Sequence, residues 1–154
     1  MLALHDARTR RDVWEACDEC PRTCAREGAL LCKYYRWFAM PAAARQNAFF
    51  RLRLGLSRVH KVIRFRLGCH ALPVVSQQRG SQSLPRAHRL CLRCDQGAVG
   101  DEYHLLFECP TTQVARAPYA HLFPQGCTML EFIRHSDTEA VARCILACLA
   151  AVGA

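Results

Sequence analysis

Residues 91–109 of the chain read CLRCDQGAVGDEYHLLFEC. Its three cysteines and one histidine have the spacing C-x2-C-x9-H-x4-C, formed by Cys91, Cys94, His104 and Cys109. Structural zinc sites use four thiolate or imidazole ligands in a tetrahedron, commonly three cysteines and one histidine. The spacing therefore predicts that these four side chains bind one Zn²⁺ ion. Because the chain fills all four positions, none is left for a reactive water, and the zinc is expected to be structural.

The residues between these ligands suit a compact metal-binding loop. Gly97 and Gly100 lie in the nine-residue spacer and permit a tight return of the chain. A helix starting at Asp101 would bring His104 and Cys109 to one point, with Cys109 just past the helix end. Three apolar side chains are expected to pack behind the site: Leu105, Leu106 and Phe107.

Cysteine is abundant, with eleven among 154 residues. Any one pair of closely spaced cysteines could therefore be ordinary buried thiols instead of metal ligands. A second cluster contains Cys17, Cys20, Cys24 and Cys32. Two interpretations of that cluster stay open: a second metal site, or a helical stripe in which cysteine packs as a small hydrophobe. Cys144 and Cys148 are four positions apart on the predicted last helix and are expected in the core.

The positive charge is concentrated in one part of the chain. Residues 28–94 hold thirteen Lys/Arg and no Asp or Glu, whereas the whole chain has a net charge of +8. Some of these cations can pair with the acidic C-terminal part, and a GC-rich coding sequence would also enrich arginine. Even so, a basic face is expected to remain, and such a face suits a polyanion, above all nucleic acid.

The patterns predict a mainly α protein, a small helical domain built around a Cys3His zinc knuckle with a short β-turn or hairpin. A basic amphipathic helix is predicted over Ser57–Gly68, with Ser57 as N-cap and Gly68 as stop. Its apolar face contains Val59, Val62, Ile63 and Leu67. Residues 71–90 are predicted to form an extended connector between Pro73 and Pro85.

After the zinc ligands, Pro110 is expected in the first turn of a helix, followed by helical segments at Gln113–Phe123 and Met129–His135. A final helix is predicted over Thr138–Val152 with Asp137 or Ser136 as N-cap. Its apolar stripe consists of Val141, Ile145, Cys148, Leu149 and Val152.

Three segments are expected. Residues 1–50 form a helical extension, 51–125 the basic helix, connector and zinc module, and 126–154 helices that pack on the module. Within the extension, a helix is predicted at Asp12–Glu19, and a second helix, with Leu30 and Phe38 among the residues of its apolar face, is predicted to stop before Pro41. The aromatic side chains Tyr34, Tyr35 and Trp37 could stack on unpaired bases, but their helical spacing favours core packing.

The sequence contains neither an 18-residue uncharged apolar run nor the apolar region of a signal peptide. We therefore expect no membrane association and a nuclear or cytoplasmic rather than a secreted protein. No motif indicates a small-molecule substrate.

Several motifs together resemble the zinc-binding segment at the C-terminal end of non-LTR (LINE-type) retrotransposon reverse transcriptases. In that family an "FR.G.H.LP" element leads through "PR..R.C..C" to "DE.H.L..CP". The matching residues are Arg64, Phe65, Arg66, Gly68, His70, Leu72 and Pro73, then Pro85, Arg86, Arg89, Cys91 and Cys94, then Asp101, Glu102, His104, Cys109 and Pro110. The resemblance spans about residues 58–123. It implies a zinc-binding module that helps a polymerase hold its template, here as a fragment or a domesticated relative.

The departures from a complete retrotransposon enzyme argue against catalysis. A polymerase needs paired aspartates for two metal ions, and this sequence has no Asp-Asp. The tail after Cys109 has only Glu131, Asp137 and Glu139 as acids and no lysine, which is too little for a nuclease. The chain is expected not to be an enzyme.

The leading expectation is sequence-nonspecific binding of RNA or DNA by charge neutralisation. The expected phosphate contacts are Lys61, Arg64, Arg66, Arg79, Arg86, Arg89 and Arg93. Two alternatives stay open: a protein-interaction module in which zinc only stabilises the scaffold, and a transposon relic without function.

Overall fold

The structure, a computed structural model, describes residues 52–77 and 84–154. Several expectations lie outside these ranges and are not addressed by it: the two N-terminal helices, the aromatic residues Tyr34, Tyr35 and Trp37, the cluster Cys17, Cys20, Cys24 and Cys32, and Arg79.

The described ranges are helical, which confirms the predicted mainly α class. Their five α-helices are α1 (Leu56–Arg66), α2 (Pro73–Ser76), α3 (Gln113–Arg116), α4 (Met129–Ile133) and α5 (Thr138–Ala151). Three 3₁₀ turns lie at Arg86–His88, Pro110–Thr112 and Ala117–Leu122, and a π-helical turn lies at His104–Glu108. Within residues 52–77 and 84–154 no β-strand forms, and the expected hairpin is reduced to one antiparallel bridge between Leu90 and Val99.

Helix α1 is the predicted basic amphipathic helix. Of the predicted apolar face only Val62 is buried, while Val59, Ile63 and Leu67 are half-buried, and Phe65 is buried in addition. Arg58, Lys61 and Arg64 are exposed on the other side. It begins at Leu56 after Gly55, so Ser57 is inside the first turn and not the N-cap. Its end is as predicted: Gly68 adopts φ 65°, and the N–H of Cys69 donates to the carbonyl of Arg64 at 2.7 Å. This is a Schellman ending, which needs a left-handed residue at that point.

Helix α5 is the central element of the core. Asp137 is its N-cap and accepts a hydrogen bond from the N–H of Ala140 at 2.9 Å. The predicted apolar stripe is buried along its whole length, and Cys144 and Cys148 lie in the core as expected. The helix packs against α1, α3, α4 and the turns between His104 and Leu122, so the segments on either side of residue 125 share one core.

The expectation of an extended connector over residues 71–90 was wrong for its described part. Pro73 starts the one-turn helix α2, because its fixed φ suits the first helical position. Val74 and Val75 of that turn are buried, so the chain is pulled onto the core instead of running along the surface.

The predicted segment Gln113–Phe123 is divided in two. Helix α3 gives way to a 3₁₀ turn at Ala117–Leu122, where Tyr119 departs from helical geometry next to Pro118. Proline lacks the N–H that a continuous helix needs, which accounts for the division. No helix among the described residues has the length and apolar character to cross a membrane.

Candidate metal centre

The four residues singled out from the sequence come together in space. One ligand atom from each of Cys91, Cys94, His104 and Cys109 lies within 4.8 Å of all the others. Sulfur ligands 2.3 Å from a tetrahedral zinc would stand about 3.8 Å apart, so a small inward movement closes the set. His104 and Cys109 are buried and the two other cysteines half-buried. The cluster can hold one metal ion.

The first two ligands are held by the tight return predicted from the glycines. The N–H of Cys91 donates to the carbonyl of Ala98 at 2.8 Å, and Gly97 turns the chain with φ 61°. Glycine is needed at position 100 for close packing and not for the turn of the chain that was expected. A Cβ added there would lie 2.7 Å from Cγ of Pro73, so its lack of a side chain lets α2 pack against the loop.

A widened helical turn presents the other two ligands. The side chain of Asp101 accepts a hydrogen bond from the N–H of His104 at 2.8 Å and so caps the turn. The N–H of Cys109 then donates to the carbonyl of His104 at 2.7 Å, five residues back. In an ordinary α-helix residues five apart point in different directions, whereas the wider π turn brings them closer to alignment. The sequence predicted the helix but not its widening.

Two buried side-chain contacts, one ion pair and one histidine–carboxylate hydrogen bond, fasten this turn to the chain on either side of residues 78–83. Arg86 Nη2 donates to Asp101 Oδ2 at 2.8 Å, and Asp101 is fully buried. His70 Nε2 and Glu102 Oε1 are also 2.8 Å apart and both buried. Asp101 and Glu102 therefore tie the turn that carries His104 and Cys109 to the segment after α1 and to the turn before Cys91. The sequence motif contains these residues but does not reveal that they tie the turn to the rest of the chain.

The pKa values of Cys91, Cys94 and His104 reflect their burial and mutual contact. Burial raises the pKa of the Cys91 thiol to about 11. Burial opposes ionisation of Cys94 too, but hydrogen bonds from the Gln96 N–H and from His104 outweigh it and lower the pKa of that thiol. At His104 burial favours the neutral ring, yet Glu108 and the neighbouring thiols raise its pKa to about 9. Metal binding must displace protons from such groups.

His104 uses both ring nitrogens. Nε2 lies 3.2 Å from Cys94 Sγ and faces the cluster, while Nδ1 lies 3.4 Å from Glu108 Oε2. The histidine therefore offers Nε2 to a metal ion.

Two side chains outside the four predicted ligands, Arg116 and Thr112, hydrogen-bond to main-chain carbonyls of the turn that carries His104 and Cys109. Arg116 donates from Nη1 to the carbonyl of Leu106 at 2.9 Å and from Nη2 to that of Cys109 at 3.0 Å. Thr112 Oγ1 donates to the carbonyl of Leu105 at 2.7 Å. Neither residue has a sequence signal beyond its polarity, because its role depends on the fold of the turn.

The predicted phosphate contacts on α1 differ in exposure. Lys61 and Arg64 are exposed, and Arg66 is partly buried. Lys61 Nζ donates to the carbonyl of Ala154 at 3.3 Å, and Arg64 Nε to that of Cys69 at 3.0 Å.

The three arginines near the cysteines that were predicted to contact phosphate make hydrogen bonds within the protein. Arg86 is bound to Asp101 as described above. Arg89 donates from Nε to the carbonyl of Leu84 at 2.8 Å and from Nη1 to that of Val74 at 2.9 Å. Arg93 donates from Nε to the carbonyl of Val152 at 2.8 Å, at the end of α5. These arginines have structural roles that the charge pattern did not reveal.

No family model matches this sequence, and comparisons with curated proteins and with solved structures give no match either.

Proposed function

We propose that the chain is a zinc-stabilised, non-catalytic nucleic-acid-binding module, built on a Cys3His zinc knuckle and related to the zinc-binding segment of non-LTR retrotransposon reverse transcriptases. The observation that carries the proposal is the convergence of four potential ligand atoms within 4.8 Å of one another, in a chain that also has a basic helix with exposed cations. The relation to retrotransposons rests on the sequence motifs.

The donor set favours zinc. Three sulfurs and one imidazole nitrogen form a soft, four-coordinate set, whereas magnesium and calcium prefer six or more oxygens. Zinc also matches the tetrahedral arrangement of Cys3His sites. With four protein ligands the ion is saturated, and its contribution is to hold the loop together.

The exposed side of α1 supports nucleic-acid binding. Arg58, Lys61 and Arg64 are all exposed there, and the sequence has no Asp or Glu between residues 28 and 94 to neutralise them. Phosphate contacts from such a face release counterions and give affinity without base specificity.

The arginines near the cysteines contribute less directly. A guanidinium has five N–H donors, so Arg89 and Arg93 can contact a phosphate and keep their bonds to main-chain carbonyls. Arg86 is mainly an anchor for Asp101. We therefore place the main phosphate contacts on α1.

A salt titration tests this proposal. Binding of the zinc-loaded protein to labelled single-stranded RNA and duplex DNA is followed by fluorescence anisotropy over a range of salt concentrations. The double variant Arg58→Gln/Lys61→Gln is expected to reduce the slope of log K against log salt by about 1.4 for RNA and about 1.8 for duplex DNA.

The matched control is Arg134→Gln/Arg143→Gln, which removes the same charge from exposed positions in the acidic part of the chain. The control slope should stay close to that of the wild type. Salt-independent affinity, absence of binding with zinc present, or equal effects of the two double variants would contradict the proposal.

A protein-interaction module is the second candidate, and exposed apolar side chains favour it. Leu92, between the first two ligands, is 74% exposed, and Val114 is 84% exposed. Under this alternative Leu92→Ser would abolish partner capture, and the Arg58→Gln/Lys61→Gln variant would bind nucleic acid no differently from its control.

A further inference from the structure

We propose that Glu108 is a positioning residue of the metal centre, holding the His104 ring so that Nε2 faces the three cysteines. This inference rests on the metal binding proposed above and extends it to a residue outside the ligand set.

The contacts of the ring divide its two nitrogens between different partners. Nε2 is 3.2 Å from the sulfur of Cys94, and Nδ1 is 3.4 Å from the carboxylate of Glu108. A neutral imidazole carries one proton, and the nitrogen that binds a metal must be without it. A carboxylate at Nδ1 accepts a hydrogen bond from an N–H there, so the lone pair is left on Nε2.

Burial makes this arrangement consequential. The His104 side chain is only 1% exposed, so water gives its Nδ1–H little opportunity for a hydrogen bond. The Glu108 side chain is 37% exposed and stays partly hydrated while it reaches the ring. A buried donor without a partner is unfavourable, and the carboxylate provides that partner at the edge of the site.

The backbone brings the two residues together. His104 and Glu108 are the first and last residues of the π turn, four positions apart, and Cys109 follows immediately. One turn of chain therefore supplies a ligand, the acceptor that orients it, and a second ligand. Carboxylates that hydrogen-bond a metal-binding histidine in this way typically change metal affinity by 10- to 100-fold.

The test compares zinc affinity across variants of exposed glutamates by competition with a chelator. Glu108→Ala is expected to raise the Kd for zinc about 10- to 100-fold. Glu108→Gln should raise it less, because the amide oxygen can still accept the hydrogen bond but carries no charge. Glu139→Ala is the matched control: Glu139 is also partly exposed and pairs with Arg143 four residues on, so the Kd should be unchanged.

A spectroscopic measurement separates positioning from general support of the fold. In the zinc-loaded wild type, the Nδ1 proton of His104 should give a strongly downfield NMR resonance. This resonance should move upfield in Glu108→Ala and partly recover in Glu108→Gln, with unchanged circular dichroism at saturating zinc.

The outcomes distinguish this inference from the proposed function. If the wild type binds zinc while Glu108→Ala keeps both the Kd and the Nδ1 resonance, the positioning role is wrong and the metal site stands. If the Kd rises but the resonance does not move, the role is also wrong, because the effect is then not exerted through the ring. If the wild type binds no zinc, both proposals fail.

Discussion

Cys109→Ser is expected to remove the metal and most of the stability of the domain. Structural zinc in small domains contributes on the order of 10 kcal/mol, comparable with the whole folding free energy of about 5–15 kcal/mol. Cys109 is fully buried, and its carbonyl accepts hydrogen bonds from Arg116 and Thr112. The variant should therefore be largely unfolded at 25 °C whether or not zinc is supplied, as measured by circular dichroism and urea denaturation.

Cys144→Ser is the matched control for this prediction. Cys144 is equally buried but lies in α5 outside the cluster. A serine there places a hydroxyl in an apolar core, at a cost of about 1–3 kcal/mol. The midpoint of unfolding of Cys144→Ser should still fall when zinc is chelated, whereas the circular dichroism of Cys109→Ser should not respond to the chelator. Equal responses of the two variants to a chelator would contradict a metal role for Cys109.

Asp101→Ala is expected to destabilise the domain by about 4 kcal/mol in urea denaturation. Asp101 is fully buried, pairs with Arg86 and caps the turn at His104. Breaking a buried ion pair from one side costs about 3–5 kcal/mol, and loss of an N-cap about 1 kcal/mol. The cost of breaking the Arg86–Asp101 pair should lie in the lower part of its range, because Arg86 is 21% exposed and regains some hydration when Asp101 is removed.

Asp137→Ala separates the two contributions. Asp137 caps α5 through the N–H of Ala140 but is exposed, so this variant should lose only the cap, about 1 kcal/mol. The excess of Asp101→Ala over Asp137→Ala then measures the buried pair. Equal losses would mean that the Arg86–Asp101 pair contributes nothing to stability.

Local patterns were enough to predict the elements whose cause is local. The end of α1 at Gly68 and the apolar stripe of α5 follow from short-range rules of capping and periodicity. The clustering of Cys91, Cys94, His104 and Cys109 was predictable because ligand spacing limits the possible geometry. These features depend little on what the rest of the chain does.

Features that depend on tertiary contacts were missed. The sequence predicted Pro73 in an extended connector, but burial of Val74 and Val75 makes Pro73 the start of α2. The π turn at His104–Glu108 has no sequence code of its own. Arg86 was predicted to be a surface cation, because its partner Asp101 is fifteen residues away in sequence and the charge pattern does not reveal the pairing. Charge counting cannot separate a cation that binds phosphate from one that anchors a loop.

The zinc content of the protein, measured by native mass spectrometry, tests whether Cys91, Cys94, His104 and Cys109 bind zinc. We predict one zinc ion at this cluster in the wild-type chain and one zinc ion fewer in Cys94→Ser, because the half-buried Cys94 supplies one of the four proposed ligands and contacts His104 at 3.2 Å. Cys127→Ser, which alters a cysteine outside the cluster, should keep its zinc. A wild-type chain without zinc, or a Cys94→Ser chain with undiminished zinc, would contradict the account.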